Sequence, residues 1–291
     1  MSGLAFAPEA NAIRAARVDV NWEVARRFAW LYGRVKDATG LNLRGLGWLQ
    51  RRVKREHVFL LAGQQIVFDP AVAGCYDRMI AGEFNEQATY EFLLRAIALA
   101  PRAVTFVEVG ANVGELLIPI AAHPQITRAI GYEPQLTCAA VCSRNAQMNS
   151  LLHVDVRAAL VGDGTTQRFH VDNKNPNASA IGNGEPTTTL RLDDDLPDLE
   201  APLIMLIDVE GAEPMVLAGA RRTIAELQPL IVFEYNELSR KHFRIGDIAK
   251  LLGPHYTIHR LRADGSLDDQ VEESWNCVAI PRDSVFQKLC A

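Results

Sequence analysis

Five carboxylates in this chain stand where apolar runs end: Glu108 after VTFV, Glu133 after AIGY, Asp208 and Glu210 after LIMLI, and Glu234 after LIVF. A short run of β-branched, aliphatic and aromatic residues reads as a strand buried on both faces of a parallel sheet. Open α/β folds bind their ligands at the carboxyl edge of such strands, so these acids are expected to line one crevice. Carboxylates gathered there can accept hydroxyl groups, take a proton from an acceptor, or ligate a hard cation.

The element that positions the first pair is the turn in VTFVEVGANVGELLIPIA. The spacing predicts a strand over 104–109, a tight turn through Gly110, Asn112 and Gly114, and a crossover helix over 115–122. Gly110 and Gly114 remove Cβ where the chain reverses and a ligand must approach the backbone. Asn112 stands where glycine-rich versions of the loop carry a third glycine, and Asn tolerates left-handed geometry best after Gly. Glu108 can meet the charged amino-acid end of a ligand, and Glu133 lies where an acid closing the second strand accepts both hydroxyls of a ribose. A dinucleotide fingerprint opening at Gly110 needs glycine at 112 and 115, but the chain has Asn112 and Glu115, and an acid there opposes phosphate at a helix N-terminus. The pair suits a nucleoside without a pyrophosphate. S-adenosylmethionine (SAM) is the ligand of that class, set against a βαβ turn with no ligand.

The second set lies in APLIMLIDVEGAEPMVLAGARRTIAELQPLIVFEYN. Strands are expected over 203–207 and 230–233, with a helix opening at Glu213-Pro214 and running to Pro229. Two parallel strands would then deliver Asp208, Glu210 and Glu234 to the edge that carries Glu108 and Glu133. Asp208 and Glu210 are the first candidates for orienting or deprotonating an acceptor. Glu234 is open as base, metal ligand or strand-end partner, and His242 is a further base candidate. Glu213 reads instead as a favourable charge at a helix N-terminus. The three acids offer oxygen ligands to a divalent metal, while Asp193-Asp194-Asp195 reads as a solvated loop.

The ordered series EVGANVG, GYEP, LIDVEGAEPMVLAGA and PLIVFE, with TLRLD at 189–193 and Asn177-Ala178-Ser179 before it, resembles the FkbM-type SAM-dependent methyltransferases over roughly residues 83–240. That resemblance implies a Rossmann-like class I methyltransferase: an α/β domain with a seven-stranded, mostly parallel sheet and an antiparallel C-terminal hairpin. It implies SAM as cofactor and methyl transfer to a hydroxyl of a sugar, glycan or secondary metabolite. Two positions depart from the family pattern. Glu108 replaces an Asp, and Leu206 stands where a Lys commonly precedes Ile-Asp-Val-Glu-Gly, which leaves a SAM-binding module with little catalysis as the alternative.

Length and composition agree. A chain of 291 residues with 48% hydrophobic content accommodates one such core over 76–291 and a basic helical extension over 1–75. A net charge of −5 gives no reason to expect nucleic acid. Nothing resembles a signal peptide or an 18-residue apolar span, so a cytoplasmic protein is expected. The five cysteines, Cys75, Cys138, Cys142, Cys277 and Cys290, lack metal-ligand spacing, and Cys138 and Cys142, one helical turn apart, read as buried apolar residues. His255 and His259 fall in a strand-like segment. Helical patterning continues at 136–148, further strands are expected at 129–132, 154–161 and 167–172, and 173–186 reads as a loop. The C-terminal runs 256–261 and 275–280 can complete the sheet as an antiparallel pair.

Charge is strongly partitioned. Residues 1–60 hold 11 Lys and Arg against 5 Asp and Glu, or +6, leaving −11 for the rest. A helix over 22–36 would turn Val24, Phe28, Leu31 and Val35 to the core and set Trp30 among arginines. With Trp48 beside Arg51 and Arg52, this segment is expected to contact an acidic or lipid-linked acceptor at a membrane surface, or a second subunit in a homo-oligomer.

Overall fold

A computed structural model describes residues 56–69, 86–170 and 184–290, together with 14, 15, 27, 30, 31, 34, 35, 38, 39, 84, 180 and 181. Two compact units divide the chain, Met1–Asn85 and Glu86–Ala291.

In the first unit, β1 (Arg14–Ala15), β2 (His57–Leu61) and β3 (Gln64–Phe68) form an antiparallel sheet in that order. Ala62 and Gly63 both take positive φ, 48° and 80°, the geometry of a two-residue hairpin turn. The hairpin buries Phe59 and Phe68 edge-to-face, 5.3 Å between ring centroids. The sequence gives this hairpin a weak signal, because its two runs, VFLL and QIVF, are short and only partly alternating. Residues 27, 30, 31, 34 and 35 are helical, as expected for 22–36. Trp30 is 58% exposed with the Arg34 guanidinium 5.2 Å from its ring. Leu31, expected to face a core, is instead 56% exposed. Val24, Phe28, Trp48, Arg51, Arg52 and Cys75 lie outside the described residues.

The second unit is built on an eight-stranded sheet, ordered β13-β12-β14-β11-β10-β4-β5-β6. Here β4 is Val104–Val109, β5 Ile126–Tyr132, β6 Val154–Arg157, β10 Leu203–Ile207, β11 Leu230–Glu234, β12 Tyr256–Leu261, β13 Leu267–Asp268 and β14 Asn276–Pro281. Strands β11, β10, β4, β5 and β6 run parallel, and β14, β12 and β13 add antiparallel partners. The expected seven strands are present, and the eighth is the two-residue edge β13. Strands β10 and β11 are buried throughout, which is why they read as unbroken apolar runs.

Helix α1 (Gln87–Leu99) reaches β14 through the hydrogen bond that Asn276 donates to Thr89, while α2 (Leu117–Ala121) and α3 (Leu136–Met148) pack beside β5 and β6. Cys138 and Cys142 are buried on α3, in the apolar role expected of them. Strand β6 stops at Arg157 rather than reaching 161, and Val161 makes an isolated bridge to Leu190. Part of the expected loop at 173–186 is regular structure: β7 (Thr166–His170) pairs with β8 (Ala180–Ile181) and β9 (Glu185–Thr188) in a small antiparallel sheet. Residues 177–179 lie outside the described residues.

Two local corrections have clear causes. The helix expected from 213 to 229 is broken into α5 (Glu213–Ala218) and α6 (Arg221–Leu227). At the break, Gly219 packs so closely on the Gly162 carbonyl that a Cβ would stand 1.9 Å from its oxygen. Asp193 then caps the new helix, accepting from the backbone N–H of Arg222 and Thr223 at 2.9 and 3.0 Å. The acidic run is therefore no solvated loop but the short helix α4 (Leu192–Asp195). Its Asp195 accepts the Tyr132 hydroxyl at 2.5 Å and pairs with Arg157.

Candidate active site

The turn after β4 is fixed by its neighbours on both sides. Gly110 and Ala111 both donate to the Tyr132 carbonyl at 2.9 Å, closing β4 onto β5, and the Gly114 N–H donates to the Ala111 carbonyl at 2.7 Å. Asn112 takes φ +47°, the left-handed conformation its residue type suggested. Gly110, at φ +94°, would place a Cβ 1.8 Å from the carbonyl oxygen of Asp208, so only glycine lets the two halves of the edge meet.

Glu133, at the end of β5, is tied to that turn. One carboxylate oxygen accepts the Asn112 N–H at 3.0 Å and the other the Gln135 N–H at 2.8 Å. A carboxylate has about four lone-pair positions, so two remain for further donors. Burial raises its pKa, opposed by those two backbone donors. Glu108 is 4% exposed, accepts the Leu117 N–H, and has no donor at its other oxygen. Burial, then the charges of Asp208, Glu115 and Glu86, push its pKa well up.

The second half of the edge brings together the acids singled out from sequence. Asp208, Glu210 and Glu234 each offer an oxygen within 4.8 Å of the other two. Asp208 and Glu234 lie side by side, and both pKa values are raised, by burial first and then by neighbouring acids. Asp208 itself is exposed, at the open end of β10. Two like charges this close cannot both ionise freely, so one proton stays with the pair.

Glu210 sits at φ +54°, a conformation that costs a non-glycine residue roughly 1 to 2 kcal/mol. Glu210→Gly is therefore expected to raise stability by about 1 kcal/mol while removing a carboxylate from the cluster. A melting curve that falls, or is unchanged, would show that the turn carries no such strain. At Gly211, φ +101°, a Cβ would stand 2.7 Å from His242 Cδ2, so the exposed His242 ring packs against this turn. Glu213 is fully buried and accepts the N–H groups of Val209 and Gly211 at 3.2 and 3.3 Å, which pins the turn from below.

Asn236, Glu86 and Asn276 complete the wall. Asn236 donates its amide to Glu234, and its own oxygen accepts the Leu238 N–H at 2.7 Å. Glu86 accepts from Thr89 at 2.8 Å and from Asn276 at 3.1 Å, and its charge bears on both Asp208 and Glu108. Asn276 is the register partner of Glu234 across β11 and β14, a neighbour only strand pairing reveals. Beside Glu133, a cavity of about 810 Å³ is lined by Pro134, Ala158, Ala159, Leu160, Phe169 and Thr188. Its lining explains why β6 ends early: Ala158 to Leu160 leave the sheet to form one wall.

This concentration of buried acids has a measurable cost. Glu213 is held up at about pKa 7 by burial, against 4.5 for a free carboxyl, and Glu108, Asp208 and Glu234 shift the same way. With folded pKa values above the unfolded ones, the native state keeps protons that the unfolded chain releases. Stability must then fall as pH rises from 4.5 through 7. For Glu213 alone the difference between pH 5.5 and 8 is on the order of 2 kcal/mol, or about 4 to 8 °C in melting temperature. The ligand-free protein is expected to melt higher at pH 5.5, and Glu213→Gln to flatten the profile. A melting temperature that climbs over this range would contradict the assigned burial.

The family profile of the Methyltransferase FkbM domain matches residues 108–257, just over half of the chain. The chain belongs to the FkbM methyltransferase family. Its matched segment opens at Glu108 and includes every acid of the cluster except Glu86. Among solved structures, an FkbM methyltransferase from Methylobacillus flagellatus aligns at 21% identity and a TM-score of 0.43, over 61% of this chain. This FkbM-family chain spans 43% of the Methylobacillus protein. An O-methyltransferase from Bacillus cereus, solved in complex with S-adenosylhomocysteine (SAH), aligns at 12% identity and a TM-score of 0.42 over 88% of this chain and 99% of its own. TYW2 from M. jannaschii, in complex with SAM, aligns at 14% identity and a TM-score of 0.40 over 78% and 84%. No curated protein matches the chain. Among the described residues no helix is long and apolar enough to cross a membrane.

Proposed function

We propose that this FkbM-family chain methylates a hydroxyl group of a sugar, glycan or secondary metabolite, with SAM as donor. The observation that carries the reading is the adjacency of two half-sites. Glu133, anchored on the Asn112 N–H, has lone pairs to spare for a ribose. Asp208, one residue past β10, touches the same turn through Gly110. The residues fit the cofactor in three respects: Glu133 suits the ribose hydroxyls, the apolar cavity at Pro134 and Phe169 suits a purine, and the donorless buried oxygen of Glu108 suits the ammonium of the amino-acid end.

When bound, SAM supplies an electrophilic methyl group on a sulfonium. The protein's task is then alignment of an acceptor oxygen and removal of its proton, worth several kcal/mol and roughly 10² to 10⁴ in rate respectively. Asp208 is the proposed acceptor of that proton. Its closeness to Glu234 lets the pair hold one proton and receive another without exposing a bare charge. Glu210 and His242 flank the same turn and are proposed to orient the acceptor. Incubation with SAM and candidate glycans or extracts, followed by mass spectrometry for the gain of one methyl group, tests the reading. Transfer to nitrogen or carbon instead of oxygen would overturn the acceptor assignment.

The exposed Trp30 and Arg34 support the further proposal that the basic N-terminal segment contacts an acidic or lipid-linked acceptor at a membrane surface, or a second subunit. Trp30→Ala is expected to weaken binding to anionic liposomes or to lower the solution mass. No change in either would leave the segment without that role.

A further inference from the structure

Asp208, Glu210 and Glu234 present three oxygens within 4.8 Å of one another, and among the described residues no Lys, Arg or His forms an ion pair with any of them. An acidic cluster alone says little, but Glu234 adds a separate observation. It is 5% exposed, one of its oxygens accepts the Asn236 amide, and the other faces the cluster with no hydrogen-bond donor. A buried carboxylate oxygen without a donor calls for a proton or a cation. A proton between Asp208 and Glu234 answers for two of the three acids only. It leaves the charge of Glu210, held beside them at φ +54°, without an ion-pair partner among the described residues. A cation answers for all three.

The distances fit. Oxygens bound to one cation at ~2.1 Å stand ~3.0 Å apart when adjacent and ~4.2 Å when opposite, and bonds of ~2.4 Å stretch these to ~3.4 and ~4.8 Å. Separations that all fall within 4.8 Å are compatible with that range. The donor set is all carboxylate, which selects hard divalent ions over those that prefer nitrogen or sulfur. Leu206 sharpens the need. It is buried, lies beside Glu108 in register between β4 and β10, and is two residues before Asp208, so the strand itself brings no cation to this corner.

We infer that Asp208, Glu210 and Glu234 bind a hard divalent cation of the Mg²⁺, Mn²⁺ and Ca²⁺ class. Its role rests on the methyl-transfer reading above: an ion there would hold an acceptor hydroxyl beside Asp208 and favour its deprotonation. Its binding does not rest on that reading.

The test uses the full chain, stripped with EDTA and dialysed, and titrated with Mn²⁺ alone while free Mn²⁺ is followed by electron paramagnetic resonance. One saturable site per chain is expected, displaced by Mg²⁺ or Ca²⁺. Asp208→Asn and Glu234→Gln should each weaken it by at least about 10-fold. Glu210→Gln, on a surface turn, serves as the variant least able to disturb folding, which circular dichroism checks in all three. SAH binding is measured in parallel in EDTA. Retained SAH affinity in the variants assigns the loss of Mn²⁺ to the site itself. Absence of a saturable Mn²⁺ site below ~1 mM, or variants that bind Mn²⁺ as the wild type does, overturns the inference. If Mn²⁺ binds and SAH does not, the cation site stands and the methyl-transfer reading fails.

Discussion

Gly110→Ala is expected to destabilise the catalytic unit by on the order of 4 kcal/mol, to lower its melting temperature by ~8 to 16 °C, and to abolish SAH binding. Two penalties add. A left-handed φ costs an alanine about 1 to 2 kcal/mol, and the new Cβ would overlap the Asp208 carbonyl oxygen at 1.8 Å. Relief requires β4 and β10 to part, which pulls the nucleoside turn away from Asp208. Gly63→Ala separates the two terms, since Gly63 has φ +80° with nothing within 4 Å of a new Cβ. It should lose only the conformational part. Equal losses in the two variants would mean that the close approach at Gly110 has no energetic weight.

Asp208→Asn is expected to lower methyl transfer by roughly 10² to 10⁴ once an acceptor is in hand, with SAH affinity changed only a few-fold. The amide keeps the size but cannot take the acceptor's proton. Because it also removes a charge from among Glu86, Glu210, Glu213 and Glu234, the variant should melt no lower than the wild type. That combination, an inactive protein that binds cofactor and is at least as stable, separates a chemical role from a structural one. Turnover near the wild-type level would take Asp208 out of the mechanism.

The parts legible from sequence were those where one physical rule acts on neighbouring residues. The strands at 104–109, 203–207 and 256–261 and the helix at 136–148 appear with the expected bounds, because a buried parallel strand is an apolar run and α3 sits between clear turn signals. The Gly110, Asn112, Gly114 turn was legible for the same local reason. What failed depended on contacts from afar. Gly219 looks harmless inside a helical pattern until Gly162 packs on it, and Asp193 looks like a solvated acid until it finds the start of α6. Glu86 and Asn276 gave no signal, since strand register, not spacing, sets Asn276 opposite Glu234, and Glu86 joins the site through Asn276.

The most direct test of the account is calorimetric titration of the wild-type chain with SAH, with NAD as comparison and Glu133→Ala as variant. SAH should bind and NAD should not. Glu133→Ala should lose the charge-assisted ribose contacts, about 1.5 to 3 kcal/mol, which is a weakening of roughly 10- to 150-fold. A wild-type chain that ignores SAH while binding NAD would contradict the assignment of this edge to a nucleoside methyl donor.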